Sequence, residues 1–480
     1  MIKLENYING KLVAPSTSEY IDNYNPAIGE VYSLIPDSGS KDVGMAVESA
    51  KEAFTKWSMA GTEVRSAVLN KIADLIDQNL EELAVAESID NGKPIKLAKK
   101  VDIPRASSNF RFFATAINHF ASESHMMEGT AVNYTKRSAV GVAGCISPWN
   151  LPLYLFSWKI APALAAGNTV VAKPSEVTPM TAYLLSKICI EAGLPEGVLN
   201  IVHGLGSDAG QAIIEHPDVP LISFTGGTAT GKSIAATAAP MFKKLSLELG
   251  GKNPNIIFAD CDFDQMLRTT VQSSFANQGQ ICLCGSRIFI ERSIYDKFKE
   301  AFVEKVSNLV VGDPSDDSTN LGAVVSKAHM EKVLSYVDLA KAEGGAVLTG
   351  GDQVILDGKC SGGYYIRPTV IEGLDYRCRT NQEEIFGPVV TITPFDTEDE
   401  VLKMANSTQY GLSATLWTGN LNRAHNLSHK LKSGIIWVNC WLLRDLRTPF
   451  GGMKQSGVGR EGGLEALRFF TEPQNICIKL

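Results

Sequence analysis

No apolar stretch of this 480-residue chain reaches the ~18 residues that a membrane-spanning helix needs. The opening "MIKLENYING" has no apolar core of the kind a secretory leader carries. No cluster of lysine and arginine stands out, and the net charge is −7, so the electrostatic footprint of a nucleic-acid binder is missing. The nine cysteines are scattered except for Cys282 and Cys284, and an odd count in a long chain argues against a disulfide framework. His425 and His429 have one-turn helical spacing, but "HNLSH" offers no acidic ligand, so no metal site is expected. Internal repeats and low-complexity linkers are lacking too. The expectation is a cytoplasmic globular protein with neither membrane nor nucleic acid as partner. At ~100–200 residues per domain, the length predicts two to four domains.

What the chain does have is a regular alternation of elements. "NYINGKLV" sets Asn9-Gly10 between two apolar stretches, a hairpin signal. From about Lys41 to His119 the apolar spacing is helical, as in "RSAVLNKIADLIDQNLEELAVAES". After "NYTKRSAVGVAGCISPWN" strands and helices alternate: "TVVAKPSE" reads as a strand, "TPMTAYLLSKICIEAG" as a helix with Pro179 at its start and Gly193 past its end, "LNIVHG" and "PLISFTG" as strands. This rhythm predicts an α/β fold with a doubly wound parallel sheet and ligands at the strand carboxyl ends. A second alternating region runs from "PNIIFAD" to about Asn439.

Two glycine motifs compete for a nucleotide. "FTGGTATGKS" matches a phosphate-binding loop through Gly226, Gly231, Lys232 and Ser233, and Asp260 ends a later strand as a magnesium ligand would. That pattern points to a P-loop NTPase. "GLGSDAG" has glycines at 204, 206 and 210, one residue too long for the dinucleotide fingerprint. For a lone motif of either kind, an ordinary strand-to-helix turn is the favoured explanation.

"FANQGQICLCGSR" is more informative, because a cysteine thiolate is a strong nucleophile. Cys282 alone is balanced between a nucleophile and a buried structural cysteine. Its setting is not. The blocks "SPWNLPL", "NTVVAKPSE", "FTGGTATG", "LELGGKNP", "GQICLCGSR", "EEIFGPV" and "PFGGMKQSG" occur in the order and spacing of the aldehyde dehydrogenase superfamily, which the chain resembles from end to end. The resemblance implies a Rossmann-type cofactor domain (1–119 and 140–249, with 447–466 returning to it), an α/β catalytic domain (250–446), and a small β oligomerisation arm (120–139 and 467–480) that builds a homodimer or homotetramer.

The same resemblance implies roles. Cys282 attacks the aldehyde carbon, and the thiohemiacetal becomes a thioester. The Asn150 amide and the Cys282 N–H hold the oxyanion. Asn150 also suits a helix N-cap before "LPLYLFSWKIAPALAAG". Glu248 is the general base that activates water against the thioester, the bland alternative being a surface glutamate. NAD is implied as cofactor. Lys173 and Glu176 sit at its adenosine ribose, and a carboxylate there repels a 2′-phosphate, so NADP is less favoured. Gly206, Gly210, Thr225, Gly226, Gly227 and Leu249 belong to the pyrophosphate turn and its surroundings. Gly227 stands where the family often has serine. Ile146 and Trp149 line the cofactor groove, and Glu384 and Phe386 meet the nicotinamide ribose and ring.

"VNCWLLRDLRTPFGG" and "VDIPRASSNFRFFA" resemble the subgroup acting on 2-aminomuconate and 2-hydroxymuconate semialdehydes. Such substrates carry a carboxylate remote from the aldehyde, and planar guanidinium groups suit it. Arg105 and Arg444 match the subgroup's carboxylate-binding positions, with Arg111 and Arg447 as second choices. The structural alternative pairs Arg105 with Asp102 and Arg444 with Asp445. Leu151, Leu155, Trp158 and Phe450 are expected as apolar walls. A broad aliphatic or retinal substrate is the alternative within the same chemistry.

Overall fold

The computed structural model covers residues 1–480. Its first sheet has eight strands in the spatial order Gly457–Val458, Lys244–Glu248, Leu221–Thr225, Val142–Ile146, Thr169–Lys173, Leu199–Ile201, Asn6–Ile8 and Lys11–Val13. The five central strands are parallel, and both edges are closed by antiparallel partners. Along the chain, the strands run outward from Val142–Ile146 to Leu199–Ile201, then cross back to Leu221–Thr225 on its other side. The order therefore reverses between Val142–Ile146 and Leu221–Thr225. A crevice opens at the carboxyl ends of such a strand pair, where doubly wound sheets bind ligands.

The edge hairpin forms where Asn9 and Gly10 both adopt left-handed backbone, φ 52° and 75°, the conformation a two-residue hairpin turn requires. The largest apolar core lies between this sheet and the helices Thr62–Gln78, Ile103–Ala116 and Pro152–Ala165. Helix Pro152–Ala165 is buried on nearly every side, as its apolar sequence demands. A π-helical turn, Ala98–Asp102, leads into Ile103–Ala116. The extra residue of such turns re-aims the side chains that follow.

The second sheet has seven strands, in the order Ala346–Thr349, Thr369–Glu372, Val389–Phe395, Arg287–Glu291, Pro254–Ile257, Ser413–Trp417 and Ile435–Val438. All neighbours are parallel except the edge strand Ala346–Thr349. A third sheet joins Ser124–Met127, Ala131–Ala139 and Thr471–Lys479 antiparallel, with most of its residues exposed or half-buried. The fold is thus α/β with a small projecting β unit.

The phosphate-loop pattern is not realised. Helix Thr228–Ala238 starts two residues after strand Leu221–Thr225, which leaves Gly231 and Lys232 a full turn inside the helix, with Lys232 exposed. No loop is left to wrap a triphosphate. Gly231 instead packs on Leu249, whose Cδ2 would lie 2.5 Å from an added Cβ. Asp260 is occupied as well, accepting from Thr418 Oγ1 at 2.9 Å and pairing with Arg423 at 2.9 Å. The remote alternative of a P-loop NTPase is therefore excluded by the geometry of this turn.

Candidate active site

Cys282 follows a backbone that only tertiary contacts can hold. After helix Phe263–Phe275, Asn277 and Gln278 are left-handed at φ 51° and 57°, and Gly279 at φ 70°. A Cβ on Gly279 would sit 2.2 Å from the Gly387 carbonyl oxygen, so no larger residue fits. Non-glycine residues in this region carry strain of ~1–3 kcal/mol each. Hydrogen bonds to distant segments offset it: Gln278 Nε2 donates to the Ala323 carbonyl at 2.7 Å, and the Val325 N–H donates to Gln280 Oε1 at 3.0 Å. Asn253 Nδ2 donates to the carbonyl of Cys282 at 2.7 Å. The thiol is half-buried, Cys284 is buried, and all nine cysteines are free.

Asn150 is tied to this same turn. Its Nδ2 donates to the Gln280 carbonyl at 2.9 Å, and its own carbonyl accepts from Asn277 Nδ2 at 2.9 Å. Lys93 Nζ donates to that carbonyl as well, at 3.2 Å. The N-cap alternative fails: the cap of helix Pro152–Ala165 is Leu151, and no side chain caps it. One amide hydrogen of Asn150 is engaged, and the other remains for a ligand.

Glu248 ends strand Lys244–Glu248 and is 3% exposed, which rules out the surface reading. Neither carboxylate oxygen has a hydrogen-bond partner. It lines a narrow cavity together with Cys282, Thr225, Leu249, Leu151, Leu155, Phe450 and Arg444. Burial, reinforced by Glu461, raises its pKa well above the usual carboxylate range, against the opposing pull of Lys159, Arg460 and Arg444. Glu461 is itself paired with the buried Lys159 at 2.8 Å. Burial also pushes the Cys282 thiol up, with Glu384 and Glu248 adding to the shift, so the resting sulfur is a neutral thiol.

On its other side Cys282 borders a second small cavity with Lys252, Cys284, Glu384 and Phe386. Glu384 Oε1 accepts the Gly251 N–H at 2.8 Å. Phe386, left-handed at φ 62°, packs edge-on against Trp149 with ring centroids 5.3 Å apart. His329 completes this aromatic group, 5.1 Å from Trp149. Burial lowers the His329 pKa to about 4, so the ring is neutral, and its Nε2 donates to the Phe386 carbonyl at 2.7 Å. Thus Cys282 stands between two compartments.

The crevice at the strand switch point holds the remaining residues. Ile146 and Thr225 end the two strands that flank it, and Lys173 ends the next strand. Lys173 Nζ donates to the Pro174 carbonyl at 2.9 Å and to Glu176 at 3.1 Å. Burial lowers the Lys173 pKa despite Glu176. Gly206 and Gly210 bound a π-helical turn, and a Cβ on Gly210 would lie 3.6 Å from the Lys173 chain. A Cβ on Gly226 would lie 2.4 Å from the outer edge of the Phe224 ring, so a larger residue there would force that ring to move. At Gly227 a Cβ meets nothing within 4 Å.

At the mouth, a larger cavity of about 1330 Å³ is lined by Arg105, Tyr154, Arg444 and Phe450 among others. The structural alternatives for both arginines fail. Asp102 pairs with Lys93 at 3.2 Å and Asp445 with Arg447 at 2.6 Å. Arg111 is bound to Asp74 and Asp77, which removes it along with Arg447. Arg444 instead lies 4.0 Å from the Phe450 ring and 5.3 Å from Trp158, and donates to the Tyr154 hydroxyl at 2.8 Å. Arg105 lies 5.6 Å from the Tyr154 ring. Trp158, expected in the wall, is one layer back, supporting Arg444 from within the core.

Sequence reasoning missed Lys93, Tyr154, Lys159, Asn277, His329 and Glu461. The segments "NGKP" and "GREGG" that carry Lys93 and Glu461 hold charged residues next to glycine, a weak signal without their partners.

Comparison with known proteins agrees with this geometry. The family model described as "Aldehyde dehydrogenase family" matches residues 13–476. The chain is 55% identical to a 2-aminomuconic semialdehyde dehydrogenase of Danio rerio, over 99% of this chain and 98% of the relative. It is 46% identical to a 2-hydroxymuconic semialdehyde dehydrogenase of Pseudomonas sp. (strain CF600), over 100% of both chains. A solved NAD+ complex of an aldehyde dehydrogenase from Bacillus cereus superposes with a TM-score of 0.97 at 39% identity, covering 100% of this chain and 97% of that one. With a thiol between two compartments at the foot of a doubly wound sheet, and a sequence match over nearly its whole length, the chain belongs to the aldehyde dehydrogenase family.

Proposed function

We propose that this enzyme oxidises 2-aminomuconate 6-semialdehyde, or its 2-hydroxy analogue, to the dicarboxylate. One observation carries the substrate reading: Arg105 and Arg444 face the mouth of the Cys282 cavity, and neither forms an ion pair with a protein carboxylate. A half-buried guanidinium without a counter-ion is costly unless a ligand supplies one. The names of the Danio rerio and Pseudomonas relatives support the same reading. A retinal or aliphatic aldehyde would leave both cations without an anion.

In this reading the Cys282 Sγ adds to the aldehyde carbon and its proton leaves to a neighbouring base. The oxyanion is held by the free Asn150 amide hydrogen and the Cys282 N–H, each such donor being worth ~10²–10³ in rate. A nicotinamide dinucleotide, when bound, supplies the acceptor for the hydride that converts thiohemiacetal to thioester. Glu248 then takes a proton from water as the oxygen attacks the thioester, releasing the carboxylate and the thiol.

The residues present fit the dinucleotide. The Thr225 hydroxyl is buried without a partner, and Gly227, at the start of helix Thr228–Ala238, borders open space, as does Gly206 at the start of its π-helical turn, features suited to a pyrophosphate. Lys173 and Glu176 would hold the adenosine ribose, Ile146 and Trp149 would line the groove, and Leu249 would lie beneath the turn. Glu384 and Phe386 would meet the nicotinamide half. The Glu176 carboxylate, half-exposed beside Lys173, disfavours a 2′-phosphate and selects NAD over NADP. The first two sheets serve as cofactor and catalytic domains. The exposed edges of the third sheet suit pairing with a second copy, giving a homodimer or homotetramer in the cytoplasm.

The test is steady-state oxidation of 2-hydroxymuconate semialdehyde with NAD or NADP. Turnover with NAD at a far lower KM than for unbranched aliphatic aldehydes is expected. Equal kcat/KM for the charged and uncharged aldehydes would overturn the substrate assignment.

A further inference from the structure

Arg105 and Arg444 reach the mouth from separate elements, helix Ile103–Ala116 and the loop after strand Ile435–Val438. One side chain touches both. Tyr154, in the first turn of helix Pro152–Ala165, accepts a hydrogen bond from Arg444 Nη1 at 2.8 Å while its ring lies 5.6 Å from the Arg105 guanidinium carbon. Tyr154 is 6% exposed and lines both the narrow cavity with Cys282 and the wide mouth. Its carbonyl accepts from Asn109 Nδ2 at 3.1 Å and Ser157 Oγ at 2.8 Å, so the ring projects from a fixed backbone.

The phenol oxygen is an acceptor toward Arg444, and a phenol also carries one donor. That O–H has no acceptor within the protein: the only hydrogen bond of the hydroxyl is the one from Arg444. An unused donor between two unpaired guanidiniums, on the wall of a cavity that leads to the nucleophile, matches a carboxylate oxygen. Hydrogen bonds to an ionised oxygen are about twice as strong as neutral ones, and O–H donors make the shortest of them.

We infer that Tyr154 is the third member of a carboxylate clamp, donating its O–H to the remote carboxylate of the substrate while its oxygen and ring hold Arg444 and Arg105 in register. The inference rests on the carboxylated-aldehyde reading above. It makes Tyr154 a specificity-determining residue, not a part of the bond-making machinery.

Its test uses the whole enzyme with NAD and two six-carbon aldehydes, adipic semialdehyde and hexanal. The first ends in a carboxylate and the second in a methyl group. The wild type prefers adipic semialdehyde. Tyr154→Phe keeps the ring and its packing but loses the hydroxyl. The expected result is a fall in that preference of roughly 10- to 100-fold, carried by a higher KM for the carboxylated aldehyde and not by kcat. Inhibition of hexanal turnover by adipate gives an independent reading, with the inhibition constant rising by a similar factor in Tyr154→Phe. An unchanged preference, or an equal proportional loss on both aldehydes, overturns the role of Tyr154. A wild type that does not prefer adipic semialdehyde removes the carboxylated-aldehyde reading itself, a separate outcome.

Discussion

Charges are treated in opposite ways on the two sides of Cys282. Behind it, buried Lys93 pairs with Glu87 at 3.3 Å and Asp102 at 3.2 Å, and buried Lys159 pairs with Glu461 at 2.8 Å. At the mouth, Arg105 and Arg444 form no ion pair and pack on aromatic rings, with one hydrogen bond from Arg444 to a phenol. A buried charge is held by its own chain because leaving it unpaired costs several kcal/mol. A cation left unpaired at the rim of a cavity is kept for something that comes and goes. Pairing state therefore separates scaffold from recognition here better than residue type does.

Glu248 has no such partner, since neither of its oxygens accepts a hydrogen bond, and it carries the largest expected effect. Glu248→Gln should slow thioester hydrolysis by roughly 10²–10⁴ and let the acyl-enzyme accumulate, visible as added mass on the intact protein. The active form of the base is the deprotonated one, and burial favours the protonated one. Hydrolysis should therefore rise with pH through a range above the ordinary carboxylate pKa, and that rise should vanish in the variant. A pH profile identical in both proteins would return Glu248 to the scaffold.

Lys93→Met comes next. It leaves Glu87 and Asp102 buried without their cation and removes a donor from the Asn150 carbonyl. A stability loss of ~3–5 kcal/mol is expected in urea unfolding. Arg444→Met, the matching change at the mouth, should cost about 1 kcal/mol of stability or less. It should instead lower kcat/KM for the carboxylated aldehyde by roughly 10- to 100-fold. Similar stability losses for the two variants would erase the contrast between the two sides.

The smallest effect sharpens the cofactor crevice. Gly227→Ser adds a side chain where a Cβ meets nothing and φ is −69°. Stability should change by about 0.5 kcal/mol or less, while the added hydroxyl tightens NAD binding, read by calorimetry. A large drop in melting temperature would mean that the glycine is required by the fold.

The elements were largely legible along the chain. The Asn9-Gly10 turn, the alternation after Val142, and the ends of the helix Met180–Ala192 follow from turn chemistry and apolar period, which are local. The blocks that carry Cys282, Glu248 and Asn150 were legible as those of the family, and the fold sets Cys282 and Glu248 on the wall of one cavity. Two features needed the tertiary structure to be decided. The Gly-Lys-Ser pattern at 231–233 did not reveal that the helix had already begun, and Trp158 looked like a wall residue because depth in the core has no local signature. The missed residues were invisible because their partners are far off: Lys159 with Glu461, and Tyr154 with Arg444, lie 302 and 290 positions apart.

By itself, the sequence determined which groups are available and the local geometry of the turns that carry them, because dihedral preference and apolar period act over a few residues. It also specified the reaction, through a thiol, a carboxylate and an amide set in characteristic blocks. Only the tertiary structure decided which charges are spent on one another and which are left over. Pairing depends on distance and burial in space, and those are settled when segments hundreds of residues apart pack together.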